Sequence, residues 1–267
     1  MARAGRLAEL LERVVSDGSV SVEDVMETYG VSASTARRDL DVLAEQQLVT
    51  RTRGGAMANR GTGDVPMRYR SGRQEGEKQA IARAAVERLE VGTVVAFNGG
   101  TTTTTVAYEL GVAMAAAYPH EEDVITVVTN AVNIANDLAV RNQLRVVVTG
   151  GVARARSYEL VGPLAEALLP RISIDTLVLG VNAIDLDGDG GLFTHHDGEA
   201  MVNAALVQSA RRTIVVADSS KVGGHAFARI CGLGDVEVLI TDTVIQVPDA
   251  EQLTAAGIEV VTASSLA

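Results

Sequence analysis

The chain has 267 residues and a mass of 27.9 kDa, a length that suits two domains better than one small module. Hydrophobic residues make up 47% of it and its mean hydropathy is +0.18, which excludes a disordered or collagen-like polymer, because such chains bury too little apolar surface to offset the entropy of ordering. The formal net charge of -11 is uneven: residues 1–60 hold 8 Lys and Arg against 9 Asp and Glu, and the remainder holds 15 against 25, so a broad nucleic-acid-coating surface is excluded while a small reading head with clustered arginines is not.

The single cysteine, Cys231, can form neither an internal disulfide nor a cysteine-based zinc site, and it fits a reducing cytoplasm. Arg3, Arg6, Glu9, Glu12 and Arg13 interrupt the apolar residues of the N-terminus, unlike a secretory signal. A long charge-free run, Gly92 to Tyr108, contains five consecutive threonines and a Gly-Gly pair, a poor membrane span. No membrane partner is expected.

Leu7, Leu10, Leu11 and Val14 recur at i, i+3, i+4, i+7 and predict a helix from residue 3 to 16, stopped by Asp17-Gly18. Ser21 with Asp24 forms a capping box for a second helix with Val22, Val25, Met26 and Tyr29 on one face, ending at Gly30. Ser32 or Ser34 caps a third helix to about Gln46, which buries Ala36, Leu40 and Leu43 and leaves Arg37, Arg38, Asp41 and Glu45 polar. Leu48 to Arg53 alternates at period two and runs into Gly54-Gly55, as a β wing does. These elements make a first domain of residues 1–58. Residues 59–74, with Gly61, Gly63, Pro66 and Gly72, read as a linker.

The second domain, residues 75–267, opens with a helix from about Gly76 to Leu89. Apolar β-branched runs follow at Thr93 to Phe97, Val124 to Val128, Arg145 to Val148, Thr176 to Leu179, Thr213 to Ala217, Val236 to Ile240 and Glu259 to Val261. Alternating with helical stretches, they predict an α/β domain with a mainly parallel sheet. Their C-terminal sides carry Asn98-Gly99-Gly100, Thr129-Asn130, Thr149-Gly150-Gly151, Gly180-Val181-Asn182, Asp218-Ser219-Ser220-Lys221 and Thr241-Asp242. Ligands of open α/β sheets bind outside the carboxyl ends of the strands, so these polar tips mark a small-molecule site.

In Val31 to Leu40, V-S-A-S-T-A-R-R-D-L, the small hydroxyl residues Ser32, Ser34 and Thr35 at a helix start let backbone amides approach phosphates. Arg37 and Arg38 lie one turn further in, within reach of a phosphate or of guanine acceptors in a major groove. Arg51, Arg53, Gly54 and Gly55 of the wing complete the candidate DNA contacts. In the second domain, Asn98, Gly99, Gly100, Thr101, Thr102 and Thr103 follow a strand and open a helix, an arrangement in which amides close on an anion.

The ordered series S-A-S-T-A-R-R-D-L, R-T-R-G-G-A, Glu77-Lys78, N-G-G-T-T, Val128-Thr129-Asn130, Thr149-Gly150-Gly151, Gly162 and A-D-S-S-K resembles the DeoR family of bacterial transcription regulators over about residues 3 to 242. The resemblance implies an N-terminal winged helix-turn-helix and a C-terminal sensor domain similar in fold to ribose-5-phosphate isomerase, responding to phosphorylated sugars or related metabolites. It implies ligand contacts from Asn98 to Thr103 and from Asn130, Gly150, Gly151, Asp218 and Lys221, with Asp185 and Glu199 as further candidates for sugar hydroxyls. Asn98 stands where relatives usually have Asp, which removes a charge repelling phosphate or changes the hydroxyl recognised. Lys221, one of two lysines with Lys78, can pair with phosphate as a point charge.

Three motifs are read as bland. Asp185, Asp187, Asp189 and Gly190 open like a calcium loop, but position twelve is His196; His195-His196-Asp197 lacks a distant ligand set; and Cys231 lacks an activating partner. No metal or cofactor is expected. The expected function is a DNA-binding transcriptional repressor of carbohydrate genes, acting on a duplex operator as a homo-oligomer, dimer or tetramer, under a sugar-phosphate effector. The alternative is a sugar-phosphate isomerase carrying a DNA-binding head. Isomerases of that fold have a carboxylate-rich run where this chain has Val181-Asn182-Ala183-Ile184-Asp185, and Val181 and Ile184 remove part of the acid/base set. A scaffold without an effector leaves the polar strand tips unexplained.

Overall fold

The computed structural model describes residues 3–46, 48–58, 66–67, 74–188 and 190–264, with the side chains of 3, 4, 12 and 16 left aside. The chain divides into two compact units, Met1–Arg73 and Gln74–Ala267. Most of the sequence-predicted linker, including Gly61, Gly63 and Gly72, lies outside the described residues.

In the first unit, α1 (Arg3–Asp17) buries its Leu7, Leu10, Leu11 and Val14 stripe. It is followed by β1 (Ser19–Ser21), α2 (Val22–Tyr29), α3 (Ala33–Glu45), β2 (Val49–Arg51) and β3 (Gly55–Ala58). The capping box forms: Asp24 N donates to Ser21 Oγ at 3.0 Å and Ser21 N donates to Asp24 Oδ2 at 2.9 Å. Ser32 caps α3, its Oγ accepting from Thr35 N at 3.3 Å. Ala36, Leu40 and Leu43 join the α1 stripe in one core.

The strands form an antiparallel sheet in the order β1-β3-β2. β1 had no sequence signal, since three residues between a turn glycine and a capping box show no periodicity. It fixes Gly55: a Cβ there would stand 1.9 Å from the Val20 carbonyl oxygen. Asp39, on α3, is buried although its position reads as polar. It is 1% exposed and accepts from Arg6 Nε at 2.7 Å, tying α3 to α1.

The second unit runs α4 (Glu75–Val86), β4 (Val94–Phe97), α5 (Thr101–Ala117), β5 (Ile125–Thr129), α6 (Val132–Leu138), β6 (Leu144–Val148), β7 (Val152–Ala153), β8 (Leu160–Val161), α7 (Pro163–Glu166), β9 (Ile174–Leu179), β10 (Ala183–Asp185), β11 (Gly191–Thr194), α8 (Asp197–Ser209), β12 (Ala210–Val216), β13 (Ala228–Cys231), β14 (Val238–Asp242), α9 (Val247–Ala255) and β15 (Glu259–Ala263). Seven strands pair in parallel in the order β15-β14-β12-β9-β4-β5-β6. They are the seven strands read from the sequence. Alternate residues feed two cores: Val95, Phe97 and Val178 pack with Ile81, Val106 and Leu110 on one face, and Ala96, Leu177 and Leu179 pack with Leu169, Leu206 and Leu253 on the other. Both faces are therefore covered, which is why these strands read as continuous apolar runs.

The antiparallel sheet β10-β11-β13 and the ribbon β7-β8 were not anticipated, being strands of two to four residues.

Chain order in the large sheet reverses between β4 and β9: β4 leads outward to β5 and β6, while β9 starts the run toward β15. Such a switch point opens a crevice at the strand tips. Asn98 spans it, donating from Nδ2 to Gly180 O at 2.9 Å and accepting from Gly180 N at 2.8 Å.

Two stability predictions follow from these buried polar contacts. Arg6→Ala leaves the Asp39 carboxylate buried without its guanidinium and should cost the N-terminal unit about 3 kcal/mol, whereas Arg6→Met with Asp39→Leu should recover most of it; denaturant unfolding of the three proteins measures both. Asn98→Asp keeps the acceptor for Gly180 N but turns a carboxylate toward Gly180 O. Its folded-state pKa should rise above the unfolded value of about 3.9, so the stability lost at pH 7 should return as pH falls through the raised folded pKa, where the protonated acid donates again. Unfolding midpoints from pH 8 to 4 test the sign.

Candidate DNA interface and effector site

At the start of α3, the hydroxyls of Ser32, Ser34 and Thr35 cluster, with Ser32 Oγ 2.9 Å from Ser34 Oγ and 3.0 Å from Thr35 Oγ1. Ser32 and Ser34 are exposed, and Thr35 is half-buried. Arg37 and Arg38 are exposed one turn on, about 100° apart around the helix, and neither guanidinium has a partner among the described residues. On the wing, Arg53 and Gly54 are exposed at the tip between β2 and β3.

Two of the residues read as DNA contacts hold the domain together. Arg51 Nε donates to Asp41 Oδ1 at 2.7 Å, and its Nη1 donates to Gly55 O, bracing the wing against α3. Gly55 is buried against β1.

In the second unit, the tips of β4, β5 and β9 meet. The backbone amides of Gly99, Gly100, Thr101, Thr102 and Thr103 find no acceptor among the described residues. They open α5, a helix of 17 residues, so helix-terminal partial positive charge adds to their donor capacity. Gly100 has φ 143, which a residue with a side chain would adopt only under strain. The run of threonines divides its labour. Thr103 and Thr104 hydroxyls donate back to Gly100 O at 3.1 and 2.6 Å, and Thr105 to Thr101 O at 3.0 Å. The Thr101 and Thr102 hydroxyls have no partner among the described residues.

Asn98 is 1% exposed and spends its amide on Gly180, so the neutral side chain at this position is explained by the stitch across the crevice. An ionised Asp could not make both bonds. Asn130 is fully buried at the tip of β5; its Nδ2 donates to Glu159 Oε2 at 3.0 Å, and its Oδ1 has no hydrogen-bond partner among the described residues. Glu159, on the segment entering β8, is 4% exposed and lies against Gly99: a Cβ on that glycine would be 2.3 Å from Glu159 Cγ. Nothing in its local sequence singled it out.

The other expected ligand residues are placed as follows. Gly150 is exposed at the tip of β6, and Gly151 admits close packing, since its Cβ would stand 2.9 Å from both Val161 O and Ala165 Cβ. Glu199 is buried, takes Arg154 Nη1 at 2.8 Å and Thr194 Oγ1 at 2.9 Å, and is linked through Thr194 to Asn182 Oδ1 at 2.7 Å. Asp218 is buried after β12, where the Gln74 amide donates to its oxygens at 3.1 and 3.2 Å and Ser220 Oγ adds another bond. Lys221 is half-buried on the turn Ser219–Lys221. Asp185 lies on the separate antiparallel sheet, facing His225 Nδ1 at 2.9 Å. A hydrogen bond from Asp187 N, aided by His225, holds its carboxyl below the usual range.

Of the calcium-like run, Asp185 ends β10 and Gly190 precedes β11 in the hairpin β10-β11, Asp189 lies outside the described residues, and carboxylate and imidazole atoms of Asp185, Asp187 and His225 come within 4.8 Å of one another. His196 caps α8, its Nδ1 accepting from Gly198 N at 3.1 Å. Burial pushes the Cys231 thiol up to about 12, the opposite of an activated nucleophile. Among the described residues no helix is long and apolar enough to cross a membrane.

Comparison with known proteins accords with this arrangement. Residues 6–62 match the DeoR-like helix-turn-helix domain, and residues 73–243 match the DeoR C terminal sensor domain. The chain is 35% identical over 262 residues to the HTH-type transcriptional regulator GlpR of Haloferax volcanii, covering 98% of each. It is 32% identical over 233 residues to the glycerol-3-phosphate regulon repressor of Escherichia coli K12, covering 87% of this chain and 88% of that one, and 30% identical over 239 residues to the transcriptional repressor AccR of Agrobacterium fabrum, covering 89% of each. A ribose 5-phosphate isomerase A from Methanocaldococcus jannaschii overlays 54% of this chain and 53% of its own at 16% identity and a TM-score of 0.39, a level that adds nothing to the reading of the site. From its winged reading head to its sensor sheet, the chain belongs to the DeoR family of transcriptional regulators.

Proposed function

We propose that this chain is a DNA-binding transcriptional repressor of carbohydrate genes whose C-terminal unit binds a phosphorylated sugar or derivative, with the bound ligand releasing the operator. The observation that carries the effector half is the run of five amides from Gly99 to Thr103 without an acceptor among the described residues at the switch point of the sheet. Donors converging at a helix N-terminus without an acceptor suit a phosphate, and Thr101, Thr102 and Lys221 would supply further donors. The relatives named as glycerol-3-phosphate regulon repressors support the same ligand class. On the DNA side, Ser32, Ser34 and Thr35 would approach phosphates, Arg37 and Arg38 would reach the groove and backbone, and Arg53 with Gly54 would place the wing.

The isomerase alternative is not favoured. A proton-transfer base must be free to reach the substrate, yet Glu199 is held by Arg154 and Thr194, Asp218 by Gln74 and Ser220, and Asp185 by His225. We therefore assign no catalytic role. The reading places the protein in the cytoplasm, acting as a homo-oligomer, because one small head buries too little surface for high specificity.

With an operator obtained by selection from random duplexes, Arg37→Ala and Arg38→Ala should each weaken binding. A base-reading arginine costs about 1–3 kcal/mol and relaxes one position, whereas a phosphate contact weakens all sequences alike. Unchanged affinity of both variants at fixed salt would remove α3 from the interface. In the second unit, a matching sugar phosphate at 100 times its Kd should stabilise the protein by about 2.7 kcal/mol in thermal unfolding. Thr101→Val and Lys221→Ala should each shrink that shift; full shifts in both would place the ligand elsewhere.

A further inference from the structure

We propose that the hydrogen bond from Gln74 to Asp218 is the element through which effector occupancy is read at the start of the sensor unit, an inference that rests on the effector reading above. Gln74 is the first residue of that unit and the N-cap of α4, the helix that receives the chain arriving from the DNA-binding head. Its amide nitrogen lies 3.1 and 3.2 Å from the two carboxylate oxygens of Asp218. Asp218 in turn opens the turn that carries Lys221: Ser220 Oγ donates to its Oδ1, and Lys221 N donates to its carbonyl oxygen at 3.0 Å. One side chain therefore joins the tip of β12, where the proposed phosphate partner stands, to the residue at which the second unit begins.

The two ends of α4 are held differently. Ala80, Ile81 and Ala85 pack with Val106 and Leu110 of α5, and Arg88, beyond the last turn, donates to Glu259 Oε1 at 2.8 Å. The first turn is weaker: Glu75 and Gly76 are exposed, and glycine is a poor helix former. Gln74 has φ 49 and ψ 44, a left-handed conformation that a residue with a side chain adopts at a cost. Its side chain makes no capping bond, and the contact with Asp218 offsets the strain. The helical bond from Lys78 N to Gln74 O, at 2.9 Å, shares that conformation.

Such a contact is a two-state element, and a ligand that disfavours it releases the turn. Asp218 is 3% exposed, so a ligand donor gains its carboxylate by displacing a group already there. Ser220 belongs to the same turn and moves with Asp218, whereas Gln74 comes from a separate element and is half-buried. Effector held by Asp218 and Lys221 thus frees Gln74 and loosens the first turn of α4, the point from which the sensor holds the chain leading to the head. The operator is bound with the contact made.

The test uses full-length protein, the selected operator, and whichever of glycerol 3-phosphate, ribose 5-phosphate and glucose 6-phosphate stabilises the wild type most. Calorimetry gives the Kd for that ester, and operator titrations with and without it give the coupling. Gln74→Ala removes the contact and adds no group. It should bind the ester about tenfold more tightly, the lower range of one hydrogen bond to a charged group, because nothing has to be displaced. It should bind free operator more weakly by a similar factor and lose most of the ester's effect on operator affinity. Gln74→Asn tolerates the left-handed conformation but is too short to reach Asp218, and should behave as Gln74→Ala. Hydrogen exchange in the wild type should quicken at the start of residues 74–86 when the ester binds, and in Gln74→Ala it should be fast throughout. If the ester weakens operator binding of Gln74→Ala or Gln74→Asn by the full wild-type factor, the inference is overturned while the effector site stands. Exchange in this segment that the ester leaves unchanged in the wild type overturns it equally. A wild type that binds none of the esters overturns the effector reading and this inference with it.

Discussion

Between the tips of β4 and β9 the chain departs in opposite directions, and the gap this leaves is closed by one side chain. Asn98 is neutral, buried and both donor and acceptor, so it can bond the two backbone groups of Gly180 at 2.9 and 2.8 Å. No charged residue of that size satisfies both. The stitch fixes where Gly99 begins, and Gly99 leads into α5, whose first amides have no acceptor among the described residues. Everything proposed for the effector depends on that geometry. Were the tips free to separate, the five donors would not converge on one anion, and the Glu159 carboxyl would have no wall to rest against.

A different economy governs the N-terminal unit. Its near-neutral charge within an acidic protein is spent selectively. Arg6 is committed to buried Asp39 and Arg51 to Asp41, leaving Arg37, Arg38 and Arg53 exposed. The internal pairs hold α1, α3 and the wing in register, so the exposed arginines project from a rigid frame. Rigidity matters for recognition, since a donor that is already oriented loses less entropy on reaching a base edge or phosphate.

Much of this was legible in the sequence, because it rests on short-range physics. Helix faces at 3.6-residue spacing, the Ser21–Asp24 capping box and the apolar runs of the buried strands are local patterns, and each became an element of the structure. The glycine-rich tip after β4 was visible for the same reason. What stayed hidden is non-local. Glu159 reaches Gly99 from 60 positions away in a ribbon too short to have a period, and Arg154 meets Glu199 across 45 positions. Asn98, Asp218 and Glu199 were visible as polar residues near strand tips, but the partners each finds within the protein are set by packing between distant segments. Their buried bonds to Gly180, Gln74 and Arg154 are contacts within the protein.

The central claim is that effector and operator bias one equilibrium of one chain, and thermodynamic reciprocity examines it directly. The affinity of full-length protein for the stabilising sugar phosphate should be measured free and with saturating operator, and its affinity for operator should be measured with and without saturating sugar phosphate. The account predicts that each ligand weakens the other by the same factor, about 5- to 150-fold. Sugar-phosphate binding that is tight yet identical with and without operator would contradict it.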